Sequence, residues 1–364
     1  MNIVINAVFM HEKPRGVGRV CNNLLKKIAE KDKKNKYYIY YGKWQKYDFL
    51  NIKQENFKFI KLNISSNAII RNLYLAFVLP FKIKKHDPDV YHIMDTSPLY
   101  IKTCKTISTI HDLAEFTVPE KYNKFKCVLR KKYVKKQAIN SDLIVTVSEY
   151  TKKDIINRFK VDENKIKVIY NYFECTKLYD SKREYKKYFL VVGEIERTKN
   201  IGMIIESFSK INKNVRNGFK LVIVGKNGND YRNVIEKIEQ CNIKKDVELL
   251  SYVSDEKLFE LYSNAFALVF ASLFEGFGLP ILEAMSFGIP VISSNVTSMP
   301  EVIGDAGMLF DPTKSKKLTK CMNDMIMKPD MRISMIEKGY KQIKKFNPDK
   351  IVDELLDTYR EIRV

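Results

Sequence analysis

Short apolar runs recur along the chain between clusters of glycine, proline and polar residues, and each has the length of a buried strand. In the first half they fall at 1–8, 37–41, 57–62, 90–93, 105–110, 143–147 and 166–169. In the second half they fall at 188–193, 219–225, 247–250, 267–271 and 290–294. Helices are expected over 67–85, 119–140, 313–328, 331–346 and 349–362, with a further one capped by Ser148 and running to Phe159. Pro80 should kink the first of these or split it in two, and Pro348 sits in the first turn of the last. Strand, crossover and strand repeat closely enough to describe βαβ units, so the sheets should be parallel and the class α/β.

Residues 171–187 lack apolar periodicity. The expected division is therefore a first domain over 1–172, a linker over 173–186, a second domain over 187–346 and a terminal helix over 347–364. A length of 364 residues suits two domains, each with its own core. Residues 1–8 read as a strand followed at once by polar loop residues, so no secretory leader is expected. The longest apolar stretch, 73–81, is far short of the roughly 20 residues that a spanning helix needs. The expectation is a soluble or peripheral protein.

Charge changes the picture more than composition does. A formal net charge of +21 calls for an anionic partner (nucleic acid, an acidic membrane surface or phosphorylated ligands), or else reflects lysine-rich codon usage. Six cysteines lie far apart with no C-x-x-C, which suggests neither a zinc site nor a disulfide framework and fits a reducing cytosol. Much of the charge sits in 119–140, where Lys121, Lys124, Lys126, Arg130, Lys131, Lys132, Lys135 and Lys136 interleave with Tyr122, Phe125, Val128, Leu129, Tyr133 and Val134. Such a helix could rest on an anionic bilayer, each basic residue near the surface adding about 1 kcal/mol, or form a solvated face over a packed stripe.

The stretch 268–295, LVFASLFEGFGLPILEAMSFGIPVISSN, joins strand, glycine loop, brief helix and strand. Glu275, Gly276, Phe277, Gly278 and Leu279 fall at the carboxyl end of its first strand, where parallel sheets bind ligands. Glycines before a helix start at Pro280 offer backbone N–H groups to phosphate or sugar oxygens. Glu275 and Glu283 can each accept from vicinal hydroxyls, such as a nucleotide sugar carries on ribose and hexose. Taken alone, they could equally be a solvated loop residue and an ordinary helix-surface glutamate.

Other strand ends carry residues of the same kind. Gly16 lies in the loop Pro14-Arg15-Gly16-Val17-Gly18-Arg19, either a diphosphate contact or a plain turn. His111, one of only four histidines, follows the strand 105–110 and could donate to a sugar hydroxyl or serve as a capping or core residue. After 188–193 come Glu194, Ile195, Glu196, Arg197, Thr198, Lys199 and Asn200, and Lys199 can place an ammonium on a diphosphate. Gly225 ends a strand at a base-facing edge, and 247–250 with Tyr252 and Val253 should form the wall for a nucleobase. Asp87-Pro88-Asp89 superficially copies a metal-binding D-x-D, but the proline makes it a turn, and no metal site is expected.

The string EGFGLPILEAMSFGIPVISS closely resembles the donor-site signature EGFGLPxLEAMAxGxPVxxS of glycosyltransferase family 4. Flanking LSYVSDEKLFELY and SNVTSMPEVIGDAGMLFDP, with TIHDLAEFTVPE and the Ser148-Glu149-Tyr150-Thr151 element, extend the likeness over nearly the whole chain, particularly to bacterial mannosyl- and rhamnosyltransferase-like members. The resemblance implies the GT-B fold, two Rossmann-like doubly wound domains facing each other across a cleft, the first for acceptor and the second for donor. It implies a retaining, metal-independent hexosyltransferase without cofactor, working from a nucleoside-diphosphate sugar onto a saccharide or lipid-linked acceptor in surface polysaccharide or glycolipid synthesis.

By the same likeness His111, Glu275 and Lys199 are catalytic. Gly16, Arg197, Asn200, Gly225, Val253, Gly276, Phe277, Gly278, Leu279 and Glu283 bind the donor. The family's loop reads G-x-I-E-P-R-K-N, and here Arg197 sits one place early, which leaves the arginine's role open. The terminal helix is implied to cross back to the first domain. A cytoplasmic enzyme, peripheral on the inner face of the plasma membrane if residues 121–136 bind lipid, is the expected setting, with no nucleic acid partner. Two rivals remain: an epimerase or pyridoxal-dependent phosphorylase on the same fold, and a non-catalytic basic adaptor binding membrane or nucleic acid.

Overall fold

The computed structural model describes residues 1–9, 11–14, 16–98, 104–174 and 185–363, and in it the apolar runs become the strands of two parallel sheets. The chain divides into two compact units, Met1–Tyr172 with Pro348–Val364, and Phe173–Asn347. Most of the expected linker, 175–184, lies outside the described residues, as does Arg15.

In the first unit the order is β1 (Asn2–Asn6), α1 (Val17–Lys31), β2 (Lys36–Gly42), β3 (Phe57–Leu62), α2 (Ala68–Phe77), α3 (Leu79–Lys84), β4 (Val90–Ile93) and β5 (Lys105–Ile110). Then follow α4 (Ala114–Thr117), α5 (Lys124–Asn140), β6 (Leu143–Thr146), α6 (Glu149–Phe159) and β7 (Ile166–Val168). The sheet runs β3-β2-β1-β4-β5-β6-β7, all parallel. This is the doubly wound order, with its reversal between β1 and β4.

The second unit repeats that order. It contains β8 (Tyr188–Val192), α7 (Ile201–Ser209), α8 (Lys213–Arg216), β9 (Lys220–Val224), α9 (Tyr231–Gln240), β10 (Val247–Leu250) and α10 (Asp255–Asn264). It continues with β11 (Ala267–Phe270), α11 (Leu279–Ser286), β12 (Val291–Ser294), α12 (Met299–Ile303), β13 (Gly307–Phe310), α13 (Ser315–Met327) and α14 (Pro329–Ile343). The strands lie β10-β9-β8-β11-β12-β13, parallel throughout, so the reversal falls between β8 and β11. Phe189, Phe219 and Phe266 meet edge-on or tilted at 4.8 to 5.8 Å in the core of this unit. Each buried ring contributes roughly 1.5–3 kcal/mol relative to exposure.

The last helix, α15 (Pro348–Glu361), belongs to the first unit. Lys31 Nζ on α1 pairs with Asp353 at 2.7 Å. The Tyr359 hydroxyl lies 2.7 Å from His92 Nδ1, and His92 Nε2 lies 2.8 Å from Thr109 Oγ1, so one buried imidazole ties α15 to β4 and β5. Asp89 accepts from the Asn2 backbone N–H at 2.7 Å and pairs with Arg363 at 3.3 Å, which gives the Asp87-Pro88-Asp89 turn a joining role.

The helix expected over 67–85 is split in two, one of the two outcomes expected of Pro80: the break falls at Val78, with Pro80 in the first turn of α3. Other local expectations change. The first strand ends at Asn6, two residues short of the apolar run. The basic helix starts at Lys124 instead of 119, because Tyr122 is extended and the Asn123 side chain accepts from the Lys126 N–H at 2.8 Å. Its interleaved apolar residues do not form one packed side: Cys127, Val134 and Ala138 turn inward, while Phe125 and Val128 are exposed.

Candidate functional site

Because every strand of the second sheet runs the same way, the loops after β8, β9, β10 and β11 leave from one edge. Lys199 follows β8 in a 3-10 turn over Arg197–Lys199, and Glu275 follows β11. They meet at the reversal point: Lys199 Nζ donates to Glu275 Oε1 at 2.5 Å, and the Ser272 hydroxyl donates to the same oxygen at 2.7 Å. The ammonium also lies 5.4 Å from the centre of the Phe270 ring. Both charged side chains keep about a fifth of their surface in solvent, 20% and 18%. A cation held by a carboxylate and an aromatic face, still open to water, can be transferred to an incoming anion.

The glycine loop is fixed from below. The Ser298 hydroxyl lies 3.0 Å from both the Glu275 and the Phe277 carbonyl oxygens, and the Glu275 N–H donates to Thr297 Oγ1 at 3.3 Å. That last bond narrows the expected amide cradle, since one N–H of the loop is already used. Gly276 and Gly278 are buried, and Gly278 caps α11 with φ +105°, a conformation that suits only glycine. The Phe277 ring is buried against Phe346, with ring centres 5.6 Å apart. Leu279 is half-buried in the first turn of α11.

Glu283, on the same helix, is 4% exposed, and the fully buried Tyr262 of α10 donates its hydroxyl to Glu283 Oε2 at 2.6 Å. The Tyr262 ring stacks on Phe287 with planes 2° apart, which locks the direction of that hydroxyl. Glu283 is therefore an oriented carboxylate and not a helix-surface glutamate.

The remaining predicted residues are spread along the edge. Arg197 is exposed, with its backbone N–H bonded to Asn229 Oδ1 at 3.1 Å. Asn200 turns its amide away to the Pro312 carbonyl at 2.9 Å, a loop contact. A Cβ on Gly225 would stand 1.8 Å from the Gly193 carbonyl oxygen, so glycine there is demanded by two strand ends in close approach. Val253 is half-buried beyond edge strand β10, beside Tyr252 at 50% exposure.

Two predicted residues lie in the first unit. Gly16 is exposed and caps α1 with φ +48°. His111 donates from Nε2 to the Met94 carbonyl at 3.0 Å, which leaves Nδ1 without a hydrogen-bond partner among the described residues. Nearby strand ends gather a cluster that the sequence did not single out. Arg130 Nη2 donates to Thr96 Oγ1 at 3.2 Å, its guanidinium lies 5.1 Å from the Tyr122 ring centre, and its Nε stands 3.5 Å from the fully buried Glu115. Burial raises the Glu115 pKa, opposed by the Arg130 charge. Arg130 is the one arginine among the seven lysines of 121–136, a signal that could have singled it out. For Tyr262, Ser272, Thr297 and Ser298 the signal was their place in or beside the resembling string.

Among the described residues no group of three or more His, Cys, Asp or Glu is placed to hold a metal ion, and no helix is long and apolar enough to cross a membrane.

The chain matches Glycosyltransferase Family 4 over residues 14–177 and Glycosyl transferases group 1 over residues 180–342. It is 30% identical over 267 residues to the O-antigen chain mannosyltransferase B of Escherichia coli, covering 70% of each chain. It is 31% identical over 222 residues to the O-antigen chain mannosyltransferase RfbU of Salmonella typhimurium, covering 61% of each. In fold it is similar to WaaG, a glycosyltransferase involved in lipopolysaccharide biosynthesis, with a TM-score of 0.76 at 16% identity over 98% of this chain and 99% of that one. HepE of Anabaena, solved in complex with UDP and glucose, gives a TM-score of 0.76 at 16% identity over 99% and 100%. Two doubly wound units, an intact E-x7-E string and these matches lead to one conclusion: the chain belongs to glycosyltransferase family 4 and is a glycosyltransferase of the GT-B fold.

Proposed function

We propose that the chain transfers a hexose, mannose or a close relative, from a nucleoside-diphosphate sugar to a saccharide or lipid-linked acceptor in surface polysaccharide or glycolipid synthesis, with retention and without a metal. The observation that carries this reading is the Lys199–Glu275 pair at the strand reversal, inside the donor-site string. Similarity to O-antigen mannosyltransferases supports the sugar and the setting.

In the proposed reaction the donor diphosphate takes the Lys199 ammonium from Glu275, which frees the Glu275 carboxylate to accept from hexose hydroxyls. Glu283, oriented by Tyr262, accepts from the ribose hydroxyls. The bond from the anomeric carbon to the phosphate oxygen breaks as a bond to the acceptor oxygen forms on the same face. The acceptor proton passes to the departing phosphate oxygen, so no protein base is required. Lys199, with Arg197 beside it, stabilises the charge that develops on the diphosphate. His111 offers Nδ1 to a substrate hydroxyl.

The test is thermal shift against a panel of nucleotide sugars and free nucleotides for the wild type and Glu283→Ala. Selective stabilisation by one donor, lost in the variant, is expected by mass action. A wild type that no nucleotide or nucleotide sugar stabilises, even at high concentration, would contradict the donor site.

A further inference from the structure

The first unit carries an apolar surface that the proposed reaction does not use. Helices α2 and α3 bury Leu75, Leu79 and Ile83, yet Ile69, Ile70, Leu73, Phe77, Val78 and Phe81 are 39 to 73% exposed. Within α2, Ile69, Ile70, Leu73 and Phe77 share one face at helical spacing. Side chains of this size left in water forfeit burial, and a contiguous group of them marks a surface shaped for a partner.

The charges around it identify the partner. Residues 56–86 contain Lys58, Lys61, Arg71, Lys82, Lys84 and Lys85 and no acidic residue. Residues 121–141 contain seven lysines and Arg130, again without an acid, and there Phe125 and Val128 are 65% and 64% exposed. Lys82, Lys84 and Lys85, on and just after α3, are exposed beside Phe81 of the same apolar group. A second copy seated on this face would oppose lysine with lysine. An anionic bilayer satisfies both features, taking the apolar side chains into its acyl boundary and the ammonium groups onto its phosphates.

We propose that the exposed face of α2 and α3 docks the enzyme on an anionic lipid bilayer, with Lys82, Lys84 and Lys85 at its rim. The sequence offered residues 121–136 as a bilayer contact or a solvated face; the exposed apolar side chains place the proposed contact on α2 and α3 instead. At ten and six residues these helices lie on a bilayer and do not span it. The surface stands independently of the donor reading.

Sedimentation of the full chain with phosphatidylcholine vesicles, with and without phosphatidylglycerol, tests this. The wild type binds the anionic vesicles, fails to bind phosphatidylcholine alone, and releases as salt rises. The combined change Leu73→Ser, Phe77→Ser and Phe81→Ser, at three positions outside the core, lowers the bound fraction by about tenfold or more. Lys82→Glu, Lys84→Glu and Lys85→Glu together do the same. Donor-induced thermal shifts stay at the wild-type value in both variants, which separates failure here from failure of the donor site. Binding that survives both triple changes overturns the proposal, as does no binding to either vesicle. So does a dimer in light scattering that the apolar triple change dissolves, since that would give the face to a second copy.

Discussion

Lys199 and Glu275 approach to 2.5 Å from loops that follow β8 and β11, the two strands between which the sheet order reverses. Parallel sheets open a crevice at that point, and the pair fills it with opposite charges that a diphosphate and a sugar can separate. Lys199→Ala should lower kcat by about 100- to 1000-fold, the usual cost of removing one stabilising donor from a developing anion. Glu275→Gln should lower it comparably while the melting temperature stays close to the wild type. Steady-state kinetics at saturating donor read both, and wild-type turnover in either variant would remove that residue from the chemistry.

Tyr262 orients Glu283 from another helix. Tyr262→Phe deletes a hydrogen bond to a charged group and should cost roughly 1.5–3 kcal/mol of stability. It should also weaken nucleoside-diphosphate binding in calorimetric titration. A loss of stability with unchanged binding would make Glu283 a packing residue.

Gly225 and Gly202 make a matched contrast. A methyl on Gly225 collides with the Gly193 backbone at 1.8 Å, whereas one on Gly202, in α7, meets nothing within 4 Å. Gly225→Ala should cost about 3 kcal/mol or prevent folding, and Gly202→Ala should gain roughly 0.5–1 kcal/mol from helix propensity. Urea unfolding distinguishes them, and equal midpoints would refute the close approach.

His92 predicts an acid sensitivity of the first unit. Burial, with a smaller effect from the His111 charge, lowers its pKa to about 3, against a value near 6.5 when unfolded. Because the folded value is depressed, the stabilisation is complete above about pH 6.5 and is lost as the pH falls toward 3. Each pH unit below the unfolded value costs about 1.4 kcal/mol while the folded ring stays neutral. His92→Gln, whose amide does not titrate, should flatten stability between about pH 6.5 and 5. An unchanged slope in the variant would assign the acid sensitivity elsewhere.

These residues also mark how far the sequence could be read. The string around Glu275 was legible because its strand, loop and helix are contiguous, and the Pro80 break because proline removes a backbone donor locally. Partners supplied from a distance were not. Tyr262 reaches Glu283 across 21 positions and Tyr359 reaches His92 across 267, and no spacing rule links either pair. Phe277 is a loop residue as read, but nothing local announces that its ring packs against Phe346. In α5 the apolar residues fall at two helical phases, and only packing decides that Cys127 and Val134 turn inward while Phe125 and Val128 face water.

The most direct measurement of the central claim is transfer itself: labelled sugar moved from each member of a nucleotide-sugar panel, GDP-mannose included, onto lipid extract or free saccharide, by the wild type and by Lys199→Ala. The account predicts transfer from one donor by the wild type and a loss of about 100-fold or more in the variant, with the fold intact. Transfer by Lys199→Ala at the wild-type rate, or none by the wild type from any donor that stabilises it, would contradict the account.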